Sequence, residues 1–126
     1  MEYEIVRDNE YFKTIRLSYG VLINIYKYEL GEDISWHFKE KRKDIKKIDD
    51  KLYETKRIVI NKYTNEEYPI GTKLYQFAPC VYLIIKEKLE KKSWSWELKT
   101  TGDYFSGKTD KFKNMIKEIL KIMEEE

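Results

Sequence analysis

Val81-Tyr82-Leu83-Ile84-Ile85-Lys86 decides the fold, because it is apolar at both odd and even positions. A strand with one face in water alternates apolar and polar residues, so a run without alternation reads as a strand covered on both faces. With Cys80 in front it is still far short of the ~20 residues that cross a bilayer. It is predicted to be an interior strand, and the rest of the chain must supply its neighbours and its covering layers.

On the amino-terminal side, Lys73 to Phe77 reads as a short strand. Before it, the β-branched Arg57-Ile58-Val59-Ile60-Asn61-Lys62-Tyr63 reads as another, Thr64-Asn65-Glu66-Glu67 as a polar turn, and Pro69 as the mark of an edge or a strand start. Further back, residues 11 to 30 read as a hairpin around Tyr19-Gly20, with Ile15, Leu17 and Tyr19 on one arm and Val21, Ile23 and Ile25 on the other. Leu30-Gly31-Glu32-Asp33 suits a tight turn, after which Ile34, Trp36 and Phe38 alternate with Ser35, His37 and Lys39 as in a half-buried strand. Beyond the central run, Trp94, Trp96 and Leu98 repeat that alternation.

Two stretches carry a helical period instead. Ile45, Ile48, Leu52 and Tyr53 recur at i, i+3, i+7 and i+8 within the charged segment from Glu40 to Thr55. Phe112, Met115, Ile116, Ile119, Leu120 and Met123 follow i, i+3, i+4, i+7, i+8 and i+11, with Thr109 or Asp110 able to cap the start. The expected class is therefore α+β, an antiparallel, meander-type β-sheet with two α-helices, forming a single domain over 1–126.

At an offset of 60 residues, Lys13, Val21, Ile25, Ser35, Trp36 and Lys39 meet identical residues at Lys73, Val81, Ile85, Ser95, Trp96 and Lys99. Quasi-repeat halves over 10–57 and 70–126, each β-β-β-α, and two ordinary meanders both account for this. The strands-then-helix order resembles that of the whirly and purine-rich-element-binding folds, which bind single-stranded nucleic acid, although no diagnostic motif of those families is present.

The chain has 126 residues, 38% of them charged and 41% hydrophobic, with 25 Lys+Arg, 23 Asp+Glu and a formal net charge of +2. Such a chain is long enough to bury a core and too apolar for disorder. The near balance of charge argues against a dedicated phosphate-backbone binder, so any such site must be a local patch. No basic, apolar leader opens the sequence, and a cytoplasmic, non-membrane protein is expected. One cysteine, Cys80, excludes an intrachain disulfide and reads as a small buried hydrophobe. One histidine, His37, reads as a solvated strand residue, and no His/Cys cluster offers a zinc site. The carboxylate pairs Asp49-Asp50 and Glu66-Glu67 read as solvation on a helix and in a turn. No catalytic residue, metal or cofactor is expected.

Gly102-Asp103-Tyr104-Phe105-Ser106-Gly107-Lys108-Thr109 matches G-x-x-x-x-G-K-S/T and looks like a Walker A loop. That resemblance implies backbone amides and Lys108 on phosphates and the Thr109 hydroxyl toward Mg²⁺. The expected architecture supplies no parallel sheet, crossover helix or acidic strand end, so Gly107, Lys108 and Thr109 are carried only as a candidate anion site. Lys39, Lys41, Arg42, Lys43, Lys46 and Lys47 against Glu40 and Asp44 give a local excess of four positive charges, suited to phosphates or to an acidic protein face. Tyr26 and Tyr28 share a parity opposite Ile23 and Ile25 and are expected to form an exposed aromatic row, whereas Trp36, Trp94 and Trp96 are expected in the core. These features point first to a non-enzymatic module of inhibitor, immunity or host-interaction type, acting on a protein partner. The alternative is binding of nucleotide or single-stranded nucleic acid through Gly107-Lys108-Thr109 and the 39–47 run. Oligomeric state is not legible.

Overall fold

A computed structural model of the chain describes residues 3–17, 22–98, 114 and 117–121. Among these residues the strands, in chain order, are β1 (Tyr3–Asp8), β2 (Phe12–Leu17), β3 (Leu22–Tyr26), β4 (Tyr28–Asp33), β5 (Ile45–Asp49), β6 (Leu52–Thr55), β7 (Val59–Ile60), β8 (Glu67–Tyr68), β9 (Lys73–Ala78), β10 (Val81–Lys88) and β11 (Ser95–Leu98). One helical turn, α1 (Lys41–Asp44), and 3-10 turns at Ser35–His37 and Lys91–Ser93 interrupt them. The architecture is mostly antiparallel sheet with little helix. The chain gathers into two compact units, Met1–Tyr28 with Lys88–Glu126, and Glu29–Glu87.

The first unit is built on a four-stranded sheet in the order β1-β2-β3-β11. The predicted hairpin arms pair antiparallel with Ile15 opposite Ile23, and β11 pairs with β3 so that Trp96 faces Ile25. One face carries the fully buried Ile15, Leu17, Ile23 and Ile25, onto which Ile119 and Leu120 pack from the helical residues 117–121. Trp94 and Trp96 pack against this cluster, as the alternation requires. The other face buries Phe12 and Tyr26 and carries a row of polar side chains bonded to one another. Arg7 Nη1 donates to Thr14 Oγ1 at 2.8 Å, Thr14 Oγ1 donates to Asn24 Oδ1 at 2.6 Å, and Tyr26 OH donates to Glu97 Oε2 at 2.7 Å. Register explains the row, because Thr14 lies opposite Asn24 and Asn24 opposite Glu97.

The second unit holds a five-stranded sheet, β4-β10-β9-β6-β5, and the two-stranded β7-β8. The run that decides the fold is β10, with a neighbour on either side. Its Tyr82 and Ile84 are buried on one face and its Leu83 and Ile85 half-buried on the other, as unbroken apolarity demands. The core joins Ile34, Ile45, Val59, Tyr68, Leu74, Tyr82 and Ile84, with Phe38 and Tyr53 packed against them.

Three expectations are corrected here. The helix over 40–55 is a single turn followed by the β5-β6 hairpin, which reverses at Asp50-Lys51 with Lys51 at φ 62° and Asp50 N–H bonded to Asp49 Oδ1 at 2.7 Å. Ile48, which a helical stripe would bury, is exposed. The turn at Leu30–Asp33 is instead the body of β4, where Glu32 pairs with Lys86 of β10 at 3.4 Å and accepts the Tyr68 hydroxyl at 2.6 Å. The strand at 34–38 is a 3-10 turn at Ser35–His37, because the Asp33 carboxylate accepts from the Ser35 N–H at 2.9 Å and the Tyr82 N–H at 3.2 Å, bending the chain off the sheet. At the offset of 60, that turn corresponds to the strand β11.

Candidate functional site

Correcting the strand at 34–38 moves two aromatic rings. A strand would send Trp36 inward and His37 outward, but the 3-10 turn leaves Trp36 73% exposed and buries His37. The His37 ring meets the Tyr63 ring edge-on at 6.3 Å, its carbonyl accepts from Arg57 Nη2 at 3.5 Å, and its Nδ1 has no hydrogen-bond partner among the described residues. The buried imidazole thus meets Tyr63 on one side, and exposed Trp36 precedes it in the chain.

Tyr63 stands on a turn whose chemistry holds it still. Asn61 Oδ1 accepts from the Tyr63 N–H at 2.9 Å and the Thr64 N–H at 3.2 Å, while Asn61 N–H donates to Glu66 O and Asn65 N–H to Asn61 O, both at 2.9 Å. Asn65 adopts φ 59°, a conformation asparagine tolerates better than most residues. Tyr63 is 85% exposed at the tip, and β7 turns Val59 inward while Ile58 and Ile60 face outward, exposed.

The basic run begins at Lys39, ahead of α1, and continues on α1 and the edge strand β5 rather than on a long helix. Its two acids are already engaged. Asp44, buried, accepts from Arg57 Nε and from the Glu40 N–H at 2.9 Å, and Glu40 pairs with Lys43 at 3.0 Å. The Arg57 guanidinium holds the Asp44 carboxyl below the usual carboxylate range. Glu54, across from β5, takes both Lys73 and Lys46, the latter at 2.9 Å, and its carboxyl is likewise held low, first by Lys73. Lys41 lies half-buried with its Nζ 5.4 Å from the centre of the Tyr82 ring, a cation-π contact. Lys39, Arg42 and Lys47 are exposed and have no carboxylate partner among the described residues.

The other residues singled out from sequence lie elsewhere. Tyr26 and Tyr28 do not form an exposed row. Tyr26 is buried at the end of β3, and Tyr28 opens β4 after a break at Lys27, so the shared parity is lost between them. Tyr28 packs on Tyr11 at 5.0 Å and donates to Glu10 at 3.2 Å; burial and that carboxylate push its hydroxyl pKa up. Cys80 is exposed, because Pro79-Cys80 is the reversal between β9 and β10 rather than part of the apolar run. Asp49 and Asp50 stand at a hairpin turn, and Glu66 and Glu67 in and after one. Gly107, Lys108 and Thr109 lie outside the described residues. Among the described residues no group of His, Cys, Asp and Glu could hold a metal ion, and no helix is long and apolar enough to cross a membrane.

Tyr63, Ile58 and Ile60 were the features missed. The available signal was an aromatic residue placed inside Asn61-Lys62-Tyr63-Thr64-Asn65, where turn chemistry leaves no room for it in a core. Comparison with protein-family models, with curated proteins and with solved structures finds no match for this chain.

Proposed function

We propose that the protein is a non-enzymatic binding module that acts by contact with another protein. One observation carries this reading: Tyr63 is held at a hydrogen-bonded hairpin tip with 85% of its surface in water and its ring edge-on to His37, whose chain neighbour Trp36 is exposed, as are Ile58 and Ile60 earlier on the same hairpin arm. Large rigid aromatics bind with little conformational entropy to lose, and Trp and Tyr dominate the energetics of protein interfaces. Aliphatic side chains around them suit a protein surface, since isoleucine offers no ring on which a base can stack.

Affinity capture from a native lysate, with and without nuclease, tests it. A specific protein is expected on the wild-type chain in both conditions and lost from Tyr63→Ala, whose exposed side chain can be truncated without opening a core. Capture that disappears on nuclease treatment would instead support the nucleic-acid alternative.

A further inference from the structure

Deepening that reading, and resting on it, we propose that the face around Trp36 and Tyr63 takes a partner segment in which an apolar side chain is flanked by carboxylates. Charge complementarity sets the sign. The acids of the basic run are each engaged within the fold, Asp44 by Arg57 and Glu40 by Lys43, so neither offsets Lys39 or Arg42. Lys39 stands two residues beyond the 3-10 turn that carries Trp36, and Arg42 follows on α1, its backbone carbonyl accepting from Lys56 Nζ at 3.2 Å while its side chain is in solvent. The Arg57 contact to the His37 carbonyl ties the 3-10 turn before this basic segment to the residues leading into β7, where exposed Ile58 is next in the chain. A partner therefore meets aromatic and aliphatic surface bordered by uncompensated cations.

The charge is also patterned rather than uniform. Glu66 and Glu67 are exposed on the same hairpin as Tyr63, and a phosphate backbone crossing the tip would run into them. A folded or extended protein segment can place its carboxylates opposite Lys39 and Arg42 alone, and patterned complementarity of this kind fixes orientation and speeds encounter.

The test is an NMR titration of the full chain with a short peptide of Glu, Asp, Leu and Phe, its charge-reversed counterpart in Lys, and oligothymidylate. The acidic peptide is expected to shift the Trp36 indole N–H and the Tyr63 amide, and to bind at least ~10-fold more weakly to Lys39→Glu/Arg42→Glu. No shift with the acidic peptide, equal binding by the double variant, or tighter binding of oligothymidylate at the same resonances would each overturn the proposal. Tyr63-dependent capture that survives the double charge reversal would remove the acidic partner while leaving the protein-contact reading intact. Loss of Tyr63-dependent capture altogether would remove both.

Discussion

Arg57→Ala should destabilise the second unit more than Asp44→Ala, and the gap should depend on pH. The reasoning starts from an asymmetric pair: the Asp44 side chain is 4% exposed and that of Arg57 44%. Removing Arg57 leaves a carboxylate almost out of water that keeps only backbone hydrogen bonds, the Glu40 N–H at 2.9 Å among them. Breaking a fully buried ion pair costs about 3–5 kcal/mol, so with one member half in solvent about 2–3 kcal/mol is expected at neutral pH. Removing Asp44 leaves a guanidinium that water can reach, and the loss falls to about 1–2 kcal/mol, near that of one charge-assisted hydrogen bond. The wild-type carboxyl is held below its ordinary value, chiefly by its bond from Arg57, so its contribution is complete above about pH 4 and disappears as pH falls through the lower folded value. In Arg57→Ala the guanidinium is gone and burial remains, which raises the carboxyl pKa. The deficit of that variant must therefore shrink between about pH 7 and pH 3. Urea unfolding at both pH values measures this, with midpoint shifts of about 1–2 M expected for Arg57→Ala at neutral pH. Amide exchange at Lys56, whose N–H donates to Asp44 O at 2.7 Å, localises the effect. A pH-independent deficit, or a larger loss from Asp44→Ala, would refute the asymmetric-burial argument.

Thr14→Val should cost about 1–3 kcal/mol, since it removes the hydroxyl that accepts from Arg7 and donates to buried Asn24, and Thr14→Ser should recover most of it; thermal unfolding reads both. At Lys51, φ 62° favours a residue without Cβ, so Lys51→Gly should leave the melting temperature unchanged or raised while Lys51→Val lowers it by about 1–3 kcal/mol equivalent.

Alternation was a reliable guide where long runs repeat it and both neighbours are strands, as at Ile15, Leu17, Ile23 and Ile25, or where it is absent over a whole run, as in β10. It failed where one short side chain redirects the backbone. Asp33 turns 35–37 off the sheet, so the alternation of Ile34, Trp36 and Phe38 describes a strand that is not there, and Trp36 emerges from the core into solvent. Four positions in 45–53 satisfied a helical period, yet Asp49-Asp50-Lys51 is competent turn chemistry and the chain uses it. β1 was invisible because its register shifts between Ile5 and Arg7, which breaks alternation and leaves Ile5 and Val6 both exposed. Of the proposed surface, the charges of Lys39 and Arg42 were legible as a run; the rings that give it shape were not, since exposure of Trp36 and Tyr63 depends on local turns rather than on period.

The first unit is discontinuous in sequence, whereas the second is one unbroken length of chain, and this imposes an order on events at the ribosome. Everything the second unit needs has been translated by Glu87, but β3 gains β11 only when Ser95–Leu98 follow. During that interval one side of β3 offers unpaired backbone amides and carbonyls beside Ile23 and Ile25, a template for mispairing with a neighbouring nascent chain. A chain ending at residue 87 would keep that side of β3 unpaired, so it should give more insoluble product than a chain ending at residue 98.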